Sequence, residues 1–373
     1  MKMKPKTAQV MVNKKCNSHC SFCSIWKNQD LEEPSLDDYK KLVKMGVKEI
    51  NLTGGEPFLS DIMSILDYLK NKARVVISTN GFLTNKIIAI MTKYKGYPNI
   101  AVRVSLDGIT ETHDKIRGTP GAFVNATNTI MALKKLGIKD LGISFTICKD
   151  NLKEVYDAYE LSKLYGVQFV VTTAFDSKHY FNTEETNVVS DYENVAYQLE
   201  TIQKEYLAGW NIKNWGRAFF LEFVKQHTLG KPIHFKCNAL SDFFFVNNKS
   251  TILPCVVLNN PLGQIKDIES LWTSEWAARI RNDVANCRKD CLMCNFTSYI
   301  KEHKYDVLKW CLDKKFNFKE GLCKIGLHRW QTRIRAYYTH GEGCCGEVQK
   351  CSRCLAVRAT GKANIPDFMR GED

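Results

Sequence analysis

The sequence has no run of about 18 apolar residues, the length that a helix needs to cross a bilayer, so we predict no membrane span. Internal repeats and low-complexity tracts are also lacking, which argues against a repeat protein. The first residues carry positive charge but only a short apolar run. We therefore expect no signal peptide and a cytoplasmic location.

Cysteine and positive charge are plentiful. The chain of 373 residues has 15 cysteines, and 53 Lys and Arg against 40 Asp and Glu give a net charge of +13. Its 44% hydrophobic content is ample for a core, which excludes wholesale disorder. In a reducing cytosol, clustered cysteines indicate metal binding rather than disulfides.

The first half of the chain has the pattern of strands alternating with helices. Predicted strands cover 8–13, 47–53, 74–79, 100–106, 141–147 and 167–173. Predicted helices cover 36–45, 60–72, 84–95, 123–136 and 152–165. This alternation predicts an α/β fold with a parallel sheet, open or closed into a barrel, and function at the carboxyl ends of the strands. A helix over 191–208 and an aromatic covering segment over 209–235 follow.

Three cysteines come directly after the first strand. Cys16, Cys20 and Cys23 form a C-x3-C-x2-C loop that can bind three irons of a [4Fe–4S] cluster and leave the fourth iron open. A zinc site would require a fourth ligand nearby. His19 lies in the same tight loop, and we interpret it as a non-ligand. TGGEP, TNG and SLDG follow the next three strands.

These motifs resemble those of the radical S-adenosylmethionine (radical SAM) superfamily. CNSHCSFC is similar to that family's cysteine loop, TGGEP to its GGEP motif, and the similarity continues through SLDG and DKIRG over about residues 7–175. The resemblance implies a partial (β/α)6 TIM-type barrel, S-adenosylmethionine bound at the open iron, and a reductant such as flavodoxin or ferredoxin. It also implies a 5′-deoxyadenosyl radical that abstracts a hydrogen atom from a substrate.

The resemblance implies that Gly54, Gly55 and Glu56 hold the amino group of the methionine moiety, and that Phe22 lies beside the adenine. Glycine lacks Cβ, so the backbone can approach a ligand closely. The alternative for the motif is a plain turn that ends a strand.

Other polar residues at strand ends are candidate cofactor ligands, namely Asn80, Ser105, Asp107, Arg117 and Thr146. Asn-Gly and Asp-Gly also favour turns without any ligand. Arg117 either neutralises a ligand carboxylate or pairs with Asp114. Ser144 and Thr146 lie on one face of the fifth strand, so periodicity does not choose between them for the ribose. We interpret Cys148 as core.

A second group of cysteines spans residues 237–311. Cys237 and Cys255 flank FFFVNNKSTILP, which has the pattern of a hairpin with its turn at Asn247 and Asn248. The other cysteines of this group are Cys287, Cys291, Cys294 and Cys311. The region resembles the twitch or SPASM extension of radical SAM enzymes, which implies one auxiliary [4Fe–4S] cluster.

The first-choice ligands of that cluster are Cys237, Cys255, Cys291 and Cys294. Cys287 is an alternative ligand, and Cys311 is left over. Structural zinc at the same cysteines is the other interpretation, because zinc suits four thiolates equally well.

The C-terminal segment carries a third group. Cys323 and His328, followed by Cys351 and Cys354, give the Cys3His set of a zinc-ribbon-like module that binds Zn2+. Cys344 and Cys345 are substitute ligands, and a third Fe–S site or no metal remain as alternatives. The basic stretch over 329–370 is either a nucleic-acid-binding surface or a solvated face.

The sequence predicts four regions: a radical SAM core at 1–180, a covering segment at 181–236, an auxiliary Fe–S domain at 237–315 and a zinc-ribbon-like module at 316–373. It predicts a radical SAM enzyme that oxidises or modifies a sugar or a peptide. The alternatives are a radical SAM enzyme acting on RNA and a non-catalytic, zinc-rich nucleic-acid-binding protein.

Overall fold

Six parallel strands alternate with helices through the first half of the chain, and the sequence predicts all six. The elements are β1 Thr7–Asn13, α1 Leu36–Met45, β2 Glu49–Gly54, α2 Ile62–Leu69, β3 Arg74–Thr79, α3 Thr84–Thr92, β4 Ile100–Ser105, α4 Glu111–Arg117, α5 Ala122–Leu136, β5 Asp140–Ile147, α6 Val155–Leu164 and β6 Gln168–Thr173. Helix α4 is the one element of this series that the sequence analysis misses.

The computed structural model describes part of the chain, and everything below refers to that part. The described residues are 4–28, 30–183, 192–231, 233, 237–287, 291–292, 299–300, 303–317, 330–335, 346–351 and 357–361. Contacts divide the chain into two units, one of residues 1–196 with 223–302 and the other of residues 197–222 with 303–373. No described helix has the length and apolar composition required to cross a bilayer.

The main sheet of the first unit has nine strands in the order β6-β5-β4-β3-β2-β1-β7-β8-β9. The pairs from β1 to β6 are all parallel, which confirms the predicted parallel sheet. Along β3 the residues alternate between buried and half-buried, and the buried ones, such as Val75 and Ile77, belong to the apolar core. One face of the sheet is therefore apolar, and the other is partly open.

The predicted hairpin extends this sheet. Strand β7 spans Phe243–Val246, and it pairs in parallel with β1 and antiparallel with β8, which spans Thr251–Leu253. Strand β9 is Gly263–Gln264. All four residues of β7 are buried, so both faces of this strand are covered, and it has strand neighbours on both edges. The sequence does not reveal that this hairpin joins the main sheet.

The remaining elements are helices and a small sheet. The helices are α7 Tyr192–Ala208, α8 Ile212–Thr228, α9 Ile268–Leu271, α10 Glu275–Ala285 and α11 Lys304–Asn317. Helix α7 confirms the prediction over 191–208, and the covering segment contains α8. In the second unit, Phe219 and Trp310 pack edge to face at 5.2 Å between ring centroids.

The C-terminal segment contains a three-stranded antiparallel sheet. Its strands are β10 Trp330–Arg335, β11 Gly346–Cys351 and β12 Val357–Gly361, in that order. Cys351 is paired with Trp330 in the register. The candidate ligands Cys323, His328 and Cys354 lie outside the described residues, as do Cys344 and Cys345. The zinc-ribbon-like module therefore stays a prediction.

Candidate active site

The first cysteine loop forms a compact set of thiols at the carboxyl end of β1. The backbone N–H of Cys23 donates to the carbonyl of Cys20 at 3.2 Å, which closes a turn between them. Burial raises the pKa of Cys16 to about 11 and that of Cys23 to about 12, and the neighbouring thiol of Cys20 adds to both shifts. The three sulfurs are thus close enough to interact electrostatically.

Backbone amides point at two of these sulfurs. The N–H groups of Ser18 and Ile25 donate to Cys16 and Cys23, respectively, and each bond lowers the pKa of its thiol against the effect of burial. Such donors stabilise the thiolate form that iron binds. Within the described part of the chain, no three His, Cys, Asp or Glu side chains surround a position for a single metal ion. A [4Fe–4S] cluster differs from such a site because each thiolate binds a different iron.

The TGGEP turn is hydrogen-bonded to the residues that lead into the loop. The N–H of Gly55 donates to the carbonyl of Asn13 at 2.9 Å, and the N–H of Glu56 donates to the carbonyl of Lys15 at 2.7 Å. The Asn13 amide returns a bond to the carbonyl of Glu56 at 3.0 Å. The predicted glycine motif and the cysteine loop are therefore one connected structure.

Steric overlap with the backbone excludes any residue other than glycine at positions 54 and 55. Gly54 has a φ of +119°, and a Cβ there would lie 2.3 Å from the carbonyl oxygen of Asn13. A Cβ on Gly55 would lie 2.0 Å from the carbonyl oxygen of Lys15. Since both contacts are with backbone, no side-chain rotation relieves them.

The carboxylate of Glu56 is fully buried and accepts three hydrogen bonds from the chain itself. The donors are the N–H of Phe58 at 3.1 Å, the Thr79 hydroxyl at 2.8 Å and the N–H of Asn80 at 2.8 Å. The carboxylate thus joins the ends of β2 and β3. Its assignment to the methionine amino group stays a prediction.

Glu56 gives the protein a specific dependence of stability on pH. Burial raises its pKa from 4.5 to about 7, against the bonds from Asn80, Phe58 and Thr79. The folded state therefore holds the proton to higher pH than the unfolded state. We expect the free energy of unfolding to fall as pH rises from about 4.5 to about 7, by about 3 kcal/mol from this group.

The measurement compares urea midpoints at pH 5 and pH 7.5 for the anaerobic protein and for Glu56→Gln. The variant lacks the titrating group, so its midpoint should change less between the two pH values. Equal changes in both proteins would contradict the prediction.

Asn80 ties the third strand to the cysteine loop. Its side-chain amide donates to Asn17 Oδ1 at 2.7 Å, and its Oδ1 accepts from the N–H of Phe82 at 3.0 Å. Sequence reasoning singled out Asn80 but missed Asn17, although Asn17 lies inside the cysteine motif. A polar residue between two ligand cysteines was the signal that could have found it.

Asp107 and Arg117 form a buried ion pair beside the loop. Arg117 Nη2 donates to one carboxylate oxygen of Asp107, and the other oxygen accepts from the N–H of Thr146 at 2.7 Å. The alternative partner, Asp114, accepts instead from the N–H groups of Gly121 and Phe123. The structure therefore pairs Arg117 with Asp107 and not with Asp114.

Helix α4 supports the far side of the cysteine loop. The N–H of His19 donates to the carbonyl of Arg117 at 2.9 Å, and the N–H of Ser21 donates to the carbonyl of Ile116 at 2.8 Å. Gly118 ends the helix with a φ of +58°, and a Cβ there would lie 2.7 Å from the carbonyl oxygen of His19. Seven residues are too few for a helical periodicity to stand out in the sequence.

Phe22 and Cys148 share an apolar contact. Cys148 is buried with Ile116 and Ala174, and the ring of Phe22 packs against this cluster. The Arg117 guanidinium lies 5.8 Å from the centroid of the Phe22 ring. The environment of Cys148 agrees with its interpretation as core.

The partly open face of the sheet is polar. Its half-buried residues on β1 to β6 include Gln9, Asn51, Thr53, Ser78, Arg103, Ser105, Ser144, Thr146 and Thr172. The register pairs Ser105 with Ser144 and Thr146 with Thr172. Ser105 and Thr146, two predicted cofactor ligands, thus lie on the face that carries these hydroxyl groups.

The sequence pattern of the radical SAM superfamily matches residues 10–162. The chain carries a radical SAM superfamily domain. An AdoMet-dependent heme synthase from Methanosarcina barkeri is 26% identical over 311 residues, which cover 75% of this chain and 86% of that protein. The Fe-coproporphyrin III synthase of the same organism is 35% identical over 159 residues, 40% of this chain and 39% of that protein.

The fold is similar to that of a solved structure. Native anSMEcpe with bound AdoMet and Cp18Cys peptide has a TM-score of 0.58 and 18% identity, over 84% of this chain and 100% of that one. The prediction of a radical SAM enzyme is confirmed at the level of its class. The superfamily implies a [4Fe–4S] cluster and S-adenosylmethionine as the cofactors of this domain.

Four members of the second cysteine group lie in the first unit of the structure, namely Cys237, Cys255, Cys287 and Cys291. Burial raises the pKa of Cys237 to about 11, and the thiols of Cys291 and Cys287 add to the shift. Burial likewise raises the pKa of Cys255, and Cys237 and Cys287 contribute. These four thiols are therefore near one another, while Cys294 lies outside the described residues.

Cys255 and Cys311 have opposite hydrogen-bonding roles. The sulfur of Cys255 accepts from the N–H groups of Leu258 at 3.2 Å and Val257 at 3.4 Å, as a thiolate ligand would. The thiol of Cys311 belongs to the second unit and donates to the carbonyl of Trp215 at 3.5 Å. A donor thiol must keep its proton, which agrees with leaving Cys311 out of the ligand set.

These roles predict different iron contents for two variants. We expect Cys255→Ala to lose about four iron atoms per chain, because one ligand of a four-iron cluster is removed. Cys311→Ala, a matched buried control, should keep the iron content of the unmodified protein. Iron and acid-labile sulfide after anaerobic reconstitution measure both, and unchanged iron in Cys255→Ala would exclude this residue as a ligand.

Proposed function

We propose that the chain reductively cleaves S-adenosylmethionine at a cluster bound by Cys16, Cys20 and Cys23, and that it abstracts a hydrogen atom from a substrate. The observation that carries this proposal is the hydrogen bonding of the TGGEP turn to Asn13 and Lys15, which lead from β1 into the cysteine loop. When bound, the cluster and S-adenosylmethionine supply the electron and the 5′-deoxyadenosyl radical. The chain's own residues bind, orient and shield these groups.

The residues present fit such a cofactor. Asn13 Oδ1 is buried without a hydrogen-bond partner and would lie 3.0 Å from a Cβ on Gly55. A buried acceptor without a partner is destabilising, and a ligand ammonium group is the complement that it lacks. Asn13 and the backbone of Gly54 and Gly55 therefore form our proposed site for the methionine amino group.

The other candidates take roles in the same proposal. Phe22 would flank the adenine. Asn80, Ser105 and Thr146 would meet the ribose, since they lie at or near the carboxyl ends of three neighbouring strands. Asp107 would orient Arg117, and the Arg117 guanidinium is the cation for the methionine carboxylate. Burial of Asn80, Asp107 and Arg117 would keep water from that side of the site, which would protect a radical from side reactions.

The auxiliary cluster is proposed at Cys237 and Cys255, with two ligands from Cys287, Cys291 and Cys294. It would accept the electron that hydrogen abstraction leaves on the substrate, which gives a net oxidation. Its potential would be set by burial and by N–H donors such as those of Cys255. A ferredoxin or a flavodoxin is the proposed reductant of the first cluster.

The substrate is proposed by class. The sequence predicts a sugar or a peptide, and the structural neighbour anSMEcpe holds a peptide. The heme synthase aligns over most of its own length, so an iron tetrapyrrole is a second candidate. Mass spectrometry after incubation with each class distinguishes them, because only the true substrate changes mass and raises the yield of 5′-deoxyadenosine.

One experiment tests the core of the proposal. Reconstituted protein is incubated anaerobically with dithionite and S-adenosylmethionine, and 5′-deoxyadenosine is quantified. We expect this product in equal amount with methionine. If none forms while iron is present at the first cysteine loop, the proposal fails. RNA binding that falls steeply with salt would instead favour the RNA-modifying alternative.

A further inference from the structure

Two side-chain contacts distinguish Cys20 from the other two cysteines of the loop. Arg117 Nη1 lies 3.4 Å from the sulfur of Cys20, while Cys16 and Cys23 have backbone donors. The Ser18 hydroxyl also lies 3.2 Å from the same sulfur, and it donates to the carbonyl of Arg117 at 3.1 Å. Cys20 thus has a cationic hydrogen-bond donor of its own.

The guanidinium is fixed in place by its other end. Nη1 faces the sulfur and Nη2 faces the Asp107 carboxylate, so the planar group is held at two points. Arg117 is 7% exposed and Asp107 is 0% exposed. The pair is therefore shielded from solvent. In such a buried site a charge interacts more strongly with its neighbours than it does in water.

Asp107 is itself held by three elements. Its N–H donates to His113 Nδ1 at 2.9 Å, its carbonyl accepts from the Asn151 side chain at 2.8 Å, and its carboxylate accepts from Thr146. These bonds come from α4, from the loop before α6 and from β5. The direction of the guanidinium thus depends on the fold and not on a single rotamer.

The turn before α4 shows the same constraint. Thr110 precedes the helix with a φ of 46°, an unfavourable backbone conformation for a β-branched residue. Glu154 secures this turn by accepting from the N–H of Ile109 at 2.7 Å and the Thr112 hydroxyl at 2.6 Å. Such a conformation persists only because the surrounding contacts hold it, so the position of α4 is fixed at this end.

We propose that Arg117, oriented by Asp107, donates a hydrogen bond to the Cys20 sulfur of the bound cluster and raises the reduction potential of that cluster. This inference rests on the proposed function. Its physical basis is that reduction adds negative charge, and hydrogen bonds to the sulfurs together with a nearby cation stabilise the reduced state. Asp107 is a positioning residue in this role, because it acts through Arg117 and moderates the charge of the guanidinium.

The test is a redox titration followed by electron paramagnetic resonance without S-adenosylmethionine. The Cys255→Ala background removes the auxiliary signal. Arg117→Met should lower the ratio of reduced to oxidised cluster at a fixed potential at least tenfold, a shift of about 59 mV for one electron. Arg117→Lys keeps the charge and should shift less. Asp107→Asn keeps an oxygen that can accept from the guanidinium but removes the opposing negative charge, so it should shift the potential in the opposite direction.

Lys115→Met is the matched control. Lys115 lies on the same helix, with a side chain that is 74% exposed and paired with Asp150. Removing this charge should leave the potential unchanged. An unchanged potential in Arg117→Met with full iron, or an equal shift in Lys115→Met, overturns the inference. If Arg117→Met loses iron, the opposite shifts of Arg117→Lys and Asp107→Asn decide.

The proposed function fails separately. It fails if the unmodified protein forms no 5′-deoxyadenosine, whatever the potentials are. The inference fails if the product forms and the potentials do not move.

Discussion

Cys20→Ala is expected to form no detectable 5′-deoxyadenosine from S-adenosylmethionine. The C-x3-C-x2-C loop supplies three thiolates to a cluster whose fourth iron must stay open for the cofactor. Removing one thiolate leaves two, which do not retain a four-iron cluster. The electron that cleaves the sulfonium then has no source at this site. Quantifying the nucleoside by liquid chromatography after anaerobic incubation with dithionite measures the effect.

Two controls accompany Cys20→Ala. Its iron content should fall by about four atoms per chain, with the auxiliary iron retained. Cys148→Ala replaces a cysteine buried against Ile116 and Ala174, and it should keep product formation because we interpret that thiol as core. Product formation by Cys20→Ala at the rate of the unmodified protein would contradict the assignment of the catalytic cluster.

Gly55→Ala is expected to reduce 5′-deoxyadenosine formation roughly 100-fold or more, since misplacement by about 1 Å is enough for such a loss. The new methyl group would lie 2.0 Å from the carbonyl oxygen and 2.6 Å from the carbonyl carbon of Lys15. The backbone that precedes Cys16 must move to relieve this overlap. The overpacking should also lower the free energy of unfolding by about 1–3 kcal/mol.

Gly96→Ala is the matched control for Gly55→Ala. Gly96 follows α3, and a Cβ there would have no heavy atom within 4 Å. The same methyl group at this exposed position should leave product formation and the urea midpoint unchanged. Should both variants behave alike, the tight contact between Gly55 and Lys15 would have no functional role.

Much of the fold follows from periodicity. The alternation of apolar strands with amphipathic helices predicts β1 to β6 and their parallel pairing, because connections of this length favour parallel neighbours. The partners of the site residues do not follow. Arg117 pairs with Asp107 rather than Asp114 because of the direction that the turn at Thr110 gives to α4. The positive φ of Thr110 could not be predicted from the sequence, since threonine rarely adopts it.

The hairpin shows the same limit. Its strands and its Asn-rich turn are visible in the sequence, but its place beside β1 is not. A strand in the middle of such a sheet is buried on both faces and is therefore apolar throughout. Apolar composition alone does not show which of the other strands lies beside it. Asn13 was missed for a related reason, since its role comes from two contacts, with Glu56 and Ser60, that the chain makes only when folded.

The pairing of β1 with β7 has a consequence for the order in which the chain is completed. Thr7 leaves the ribosome early, and its partner Phe243 leaves much later. Until then, β1 has one open edge of unpaired N–H and C=O groups beside its cysteine loop, and such edges recruit other chains. A protein synthesised from its N-terminus therefore completes the support of its first cysteine loop only after the hairpin has been made. We therefore expect iron to load at that loop after the hairpin has been synthesised.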